Sequence, residues 1–221
     1  MLKKETRDLL KVLSPINSQM ILSYPVTVIK SSGIQAVIDL SDFEDEFEEF
    51  GIYNINEFLT LVGSIEAADI ELKSPKIIIK NSRQKIEYNT ADVDILQENL
   101  QIKKDFLERV TRNTKVLSFV LNEEDIKQVK KISNLLSLEI LKVVPNENKL
   151  VLRNDEKSSN TFEIDLGIDG ETEEIDFNVS LFQKIPISNY DAEVYENPKG
   201  SKILVLTSQE IPELKILISP R

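Results

Sequence analysis

The sequence predicts an α+β fold in which antiparallel sheets carry a few helices on one face. Three observations predict it. Many short strand-like runs are joined by hairpin-length links, only a few stretches between them have helical periodicity, and no regular strand–helix–strand alternation builds a parallel sheet. The order of elements in the first half also recurs in the second without obvious sequence identity, the pattern of a structural duplication.

Residues 3–13 set Leu9, Leu10 and Leu13, with Thr6 one turn earlier, against Lys3, Lys4, Arg7 and Lys11, the spacing of a two-faced helix. After Pro15 the period changes. Residues 20–22, 26–29 and 34–40 read as strands, the last with Ala36, Ile38 and Leu40 alternating onto one face, and Ser31-Ser32-Gly33 reads as the hairpin turn between two of them. An acidic segment from Asp42 to Glu49 follows, with Phe43, Phe47 and Phe50 interleaved. Asn54-Ile55-Asn56-Glu57 places an Asn N-cap ahead of a Glu at N3 and opens an amphipathic helix over 58–65. Strands at 69–72, 76–80 and 85–88 complete this half, with turn signals at Ser74-Pro75 and Asn81-Ser82.

Residues 91–112 have weaker periodicity and mixed charge, which suits a connector. Domains are therefore expected at 1–91 and 113–221, joined by 92–112. In the second half a strand at 116–121 precedes a helix capped by Asn122-Glu123-Glu124-Asp125 and running to about Leu136. Strands are expected at 138–144, 149–152 and 161–166, with turns at 145–148 and 155–160. Residues 177–185 read as a strand running into a short helix, and final strands fall at 192–195, 203–207 and 214–218, the first two of them flanking the turn Asn197-Pro198-Lys199-Gly200.

The 221 residues, 41% hydrophobic and 29% charged, supply a real core. Cysteine, histidine and tryptophan are absent, which excludes a Ser-His-Asp triad, a cysteine nucleophile, a histidine base and a zinc site of imidazole or thiolate. Asp and Glu chemistry with magnesium stays formally open. However, adjacent carboxylates such as Asp42, Glu44, Asp45, Glu46, Glu48 and Glu49 are the pattern of a solvated face. The segment from Asp165 to Gly170 lacks the alternating ligands of a calcium loop and reads as a hairpin turn. No catalytic residue, metal site or cofactor is expected. There is no signal-peptide pattern and no apolar run near the roughly 18 residues of a membrane span, so a soluble cytosolic protein is expected.

The net charge of −11 argues against nucleic acid as a partner unless the cations are segregated. In the helix after Asn122, the three- and four-residue spacing of Ile126, Val129, Ile132 and Leu136 is expected to face a sheet, leaving Lys127, Lys130, Lys131 and Asn134 opposite. The first helix does the same with Lys4, Arg7 and Lys11. Solvent-face lysines are common on any helix, yet both long helices here carry them in a chain whose loops and strand edges are mostly acidic.

These residues also carry a family likeness. Leu2-Lys3-Lys4-Glu5-Thr6, Leu9-Leu10-Lys11, Ile16-Asn17-Ser18 and Ile21-Leu22 look like the opening of the sliding clamps of T-even-type bacteriophages. The run Ile52-Tyr53-Asn54-Ile55-Asn56-Glu57-Phe58-Leu59 is similar to the start of that family's second helix. The likeness covers most of residues 1–80, is looser beyond Asn122, and in the last third is one of pattern. It implies a non-catalytic two-domain subunit, three copies of which close head to tail into a ring of six similar domains. Helices would line the hole and sheet would form the outer wall. Duplex DNA would be encircled without sequence specificity, its phosphates facing Lys3, Lys4, Arg7, Lys11, Lys127, Lys130 and Lys131. Implied partners are the replicative DNA polymerase, whose tail docks in an apolar pocket, an ATP-driven clamp loader and late-transcription factors, all in the cytoplasm of the infected bacterial host. The connector at 94–106, with Phe106, and the last strand, with Leu214, Ile216 and Ile218, are candidate walls of that pocket; ordinary core is the competing reading for them. For the whole chain, the competing reading is an acidic structural or scaffold module that does not bind DNA.

Overall fold

The structure, a computed structural model, describes residues 2–44, 46–66, 68–73, 75–155 and 160–221. Asp45, Ser74 and residues 156–159, which belong to the acidic segment and two expected turns, lie outside the described residues. The chain forms two compact units, Met1–Ser31 with Gln35–Lys104 and Ser32–Ile34 with Asp105–Arg221.

In the first unit, helix α1 (Lys4–Leu13) buries Thr6, Leu9, Leu10 and Leu13, the stripe its spacing requires. The Lys3 N–H at its start donates to the Glu44 carboxylate, which is buried. One member of the expected solvated acidic face is thus drawn inward to the positive end of a helix. Strands β1 (Met20–Leu22), β2 (Val26–Ser31), β3 (Ile34–Asp39) and β4 (Phe50–Ile52) lie in the order β3-β2-β1-β4. Gly33 turns the β2–β3 hairpin at φ +75°, a conformation that glycine adopts without steric cost. The alternation expected in β3 does not appear, because Ile34 to Ile38 are all buried and the strand is covered on both faces.

Helix α2 (Ile55–Ser64) starts where the sequence places it: Asn54 Oδ1 accepts the N–H groups of Asn56 at 3.1 Å and Glu57 at 3.3 Å. Strands β5 (Asp69–Lys73), β6 (Lys76–Lys80) and β7 (Lys85–Asn89) form an antiparallel meander. Phe58 of α2 lies 5.6 Å from the Tyr88 ring of β7, seating the helix on it. Ala91 N–H then donates to Gly51 O at 2.9 Å and covers the outer edge of β4. Gly51 is required there, since a Cβ would come within 2.7 Å of Ala91 O. The segment 92–112, expected to be an irregular connector, contains two helices. In the first unit it is α3 (Val93–Leu100), whose start is capped by Asp92 accepting the Ile95 N–H at 3.1 Å. Only Leu96 of α3 is buried, so one apolar contact per two turns left no stripe to detect.

In the second unit, α4 (Phe106–Thr111) precedes β8 (Thr114–Leu121) and α5 (Glu123–Leu136). The N–H of the N-cap residue Asn122 donates to the Asp125 carboxylate at 2.9 Å, closing the expected cap. Ser137, at φ +52°, ends α5, which delays the next strand: β9 is Ile140–Val144, not 138–144. Strands β10 (Lys149–Arg153), β11 (Phe162–Asp165), β12 (Asp169–Gly170) and β13 (Ile175–Asn178) follow, then α6 (Val179–Phe182), β14 (Tyr190–Glu196), β15 (Lys202–Ser208) and β16 (Leu214–Ile218). One sheet has the order β11-β10-β9-β13, and β14-β15-β16 is a meander extended on the β14 side by β8 and β12. Residues 165–170 are therefore not a hairpin turn. They cross from β11 to the edge of β8, where Gly170 pairs with Leu117 at φ +106° and a Cβ would meet Val116 O at 2.2 Å.

The duplication is visible in the topology. Each unit has a helix, a four-stranded sheet with the order third-second-first-fourth, a second helix packed against the first, and a three-stranded meander. The closing contact recurs too, since Arg221 N–H donates to Asp176 O of β13 at 2.8 Å as Ala91 does to Gly51 of β4.

Candidate nucleic-acid interface

Helix α1 buries its apolar side within the first unit and leaves Lys3, Lys4 and Lys11 exposed. Arg7 is half-buried on the same side, and its Nε is enclosed without a hydrogen-bond partner. The four cations expected on this helix are thus brought together on the side away from Leu9, Leu10 and Leu13.

Helix α5 corrects the expectation. Its packed stripe is Ile126, Val129, Lys130 and Ser133, whereas Ile132 and Leu136 are only half-buried and Leu135 is 71% exposed. The helix is rotated so that Lys130 joins the packed side. Its Nζ donates to Gln183 O at 3.1 Å and Ile185 O at 2.6 Å, just past the end of α6. Gln183 Nε2 donates in return to Lys130 O at 3.2 Å and Ser133 Oγ at 2.7 Å. Burial pushes the Lys130 ammonium below its ordinary pKa. The cause of the misplacement is physical: a lysine stem packs like an aliphatic chain, and its head satisfies carbonyls that a helix end leaves open. Lys130 is therefore not on the free cationic face.

Lys127 and Lys131 remain exposed on α5. Lys127 pairs with Glu123 one turn earlier at 2.5 Å, which raises its pKa and offsets part of its charge toward any other anion. The strand residues tell a similar story of engaged charge. Lys149 meets Glu163 at 2.8 Å across β10 and β11, and Arg153 meets Asp176 at 2.9 Å.

The candidate walls of the partner pocket are also corrected. Leu214, Ile216 and Ile218 are at most 2% exposed, so the last strand packs as core of the second unit and offers no apolar surface. Phe106 is half-buried, with the Arg109 guanidinium 5.8 Å above its ring. Among the described residues no cluster of Asp and Glu is arranged to hold a metal, and no helix is long and apolar enough to cross a membrane.

No protein-family model matches this sequence, and no curated protein does. Solved structures do match. Proliferating cellular nuclear antigen from Entamoeba histolytica is 12% identical with a TM-score of 0.63, over 97% of this chain and 94% of that one. DNA polymerase III subunit beta from Pseudomonas aeruginosa is 14% identical with a TM-score of 0.65, and the Helicobacter pylori beta clamp, solved bound to a DNA ligase peptide, is 14% identical with a TM-score of 0.60. This chain is covered over 97% and 99% in these two matches and spans 64% of each bacterial subunit. The two-unit chain, with helices packed in pairs on antiparallel sheets, therefore has the sliding-clamp fold of proliferating cellular nuclear antigen and the bacterial beta clamps.

Proposed function

We propose that this protein is a DNA polymerase sliding clamp of the T-even bacteriophage type, a non-catalytic subunit that closes as a homotrimer around duplex DNA. The observation that carries the reading is the match over nearly the whole length of a two-unit clamp, 97% of one chain and 94% of the other. The likeness of residues 1–80 to the phage clamps supports the finer assignment. The partners that follow are the replicative polymerase, an ATP-driven loader and late-transcription factors in the cytoplasm of the infected host, with the domains at 1–91 and 113–221 joined by 92–112.

The charge distribution fits this role. Lys3, Lys4, Arg7 and Lys11 on α1, with Lys131 and Lys127 on α5, would touch phosphates without reading bases, while the net charge of −11 repels DNA from other surfaces. Ring closure has edges to use: among the described strands, β7 ends its sheet in the first unit and β11 ends its sheet in the second. Head-to-tail pairing of such edges consumes what would otherwise be exposed backbone.

Sedimentation is expected to show three chains of 25.2 kDa, and imaging a ring with pseudo-sixfold shape. Without a loader, binding to linear DNA is expected to be weak and to weaken further with salt. The acidic-module reading is favoured by the engagement of Lys127 and Lys130 within the fold. A strict monomer at high micromolar concentration, with no effect on polymerase processivity, would establish that reading instead.

A further inference from the structure

The acidic, phenylalanine-bearing segment before β4 has no part in the DNA reading, yet it leads into a cavity of about 420 Å³ that lies wholly in the first unit. Its apolar walls are Phe50 of β4, Tyr53, Pro75 and Val93. Phe50 is 5% exposed and forms a floor, whereas Tyr53 is 51% exposed and stands at the mouth. The floor continues outward as a chain of rings, since Phe47 lies 5.9 Å from Phe50 and Tyr24 lies 6.0 Å from Phe47. Ile95, one residue beyond the rim, is 54% exposed.

The polar part of the lining is anionic. Glu49, Asp92 and Asp94 edge the cavity, and Glu46 and Glu48 are exposed beside it. Asp92 is occupied in capping α3, and Glu49 holds the ammonium of Lys104. Asp94 makes no side-chain hydrogen bond or ion pair among the described residues.

We propose that this cavity is a docking pocket for an extended peptide segment of a partner protein, in which a basic side chain neighbours an apolar anchor. The charge of the rim selects the occupant. An acidic segment or a nucleic acid would be repelled, and a purely apolar one would strip water from carboxylates without replacing it. A basic side chain satisfies both parts of the site, its charge on Asp94 and its flat stem or guanidinium on the open face of Tyr53. The Lys104–Glu49 pair shows the rim already receiving an ammonium from within the chain, and an exposed pair of that kind is weak enough to be displaced. The pocket requires neither a ring nor DNA, so it stands apart from the clamp reading.

The test is fluorescence anisotropy of the full chain with a labelled, capped hexapeptide of alternating arginine and leucine, and with its glutamate–leucine counterpart. Saturable binding of the basic peptide only is expected. Tyr53→Ala and Asp94→Asn are each expected to weaken it about fivefold or more, with unchanged melting, since both side chains are exposed. Glu98→Gln, on the same helix but outside the cavity, serves as the control. The proposal is overturned if the basic peptide does not bind saturably, or if Glu98→Gln weakens binding as much as Asp94→Asn, which would mean attraction to net charge alone. It is also overturned if Tyr53→Ala changes self-association and not peptide affinity, since the pocket would then be a contact between copies of this chain.

Discussion

Lys130 and Lys131 are neighbours in sequence and opposites in role. Lys130 places its charge on the Gln183 and Ile185 carbonyls, whereas Lys131 is exposed. Replacing Lys130 by Met leaves two carbonyls without their donor, so a loss of about 1–3 kcal/mol in folding stability is expected. It is expected to leave the salt dependence of DNA binding unchanged. Lys131→Gln should do the reverse: stability within about 0.5 kcal/mol of the parent, and a log–log salt slope shallower by about 0.9 for the lost phosphate contact. Thermal melts and binding at several salt concentrations separate the two, and equal slopes for both variants would contradict the assignment of Lys130 to the packed side. Glu44 makes the same point among the acids. Its neighbours are exposed, but its own carboxylate is spent on the start of α1.

The elements owe their boundaries to local chemistry that short sequence patterns reveal. Asn54 holds two N–H groups at the start of α2, and Asn54→Ala is expected to cost about 1 kcal/mol, read as a lower denaturant midpoint. The β6–β7 turn is closed by Asn81, whose side chain accepts the N–H groups of Arg83 and Gln84, both at 2.8 Å. On the meander itself Lys76 and Lys85 flank Glu87 at 2.8 and 2.7 Å and hold its carboxyl down to about 2. Because the folded value is depressed, the contribution of these pairs is fully present above the ordinary glutamate range near 4.5 and fades as pH falls toward 2. Side-chain NMR titration should place the Glu87 midpoint well below 4.5 in low salt and nearer that value in 1 M salt, since the group is solvent-exposed. A midpoint near 4.5 at low salt would rule the pairs out in solution.

At the scale of the whole molecule, duplication is the organising fact. Two units repeat a helix pair, a four-stranded sheet of one strand order and a three-stranded meander, and each covers its fourth strand with the residues that follow the meander. The repeat is imperfect in one informative place. The second unit adds β8 and β12 beside β14, whereas the meander of the first unit has no strand beyond β5 among the described residues.

Most of this architecture could be read residue by residue. The stripe on α1, the Asn caps of α2 and α5, the Ser31-Ser32-Gly33 hairpin and strands such as 76–80 and 214–218 follow from periods and caps that act over three or four residues. What escaped detection depends on partners distant in sequence. The short strands β4 and β12 exist because Met20 to Leu22 and Leu117 to Ser118 pair with them, and α3 shows one buried residue and no stripe. The candidate sites divide the same way. The chain carries its lysines at helical spacing in plain view, but which of them stays free is decided by how far α5 rotates against α6. The apolar run of β16 marks a strand, and only sheet order decides that it is interior. Periodicity specifies the faces of an element, and long-range packing decides what each face meets.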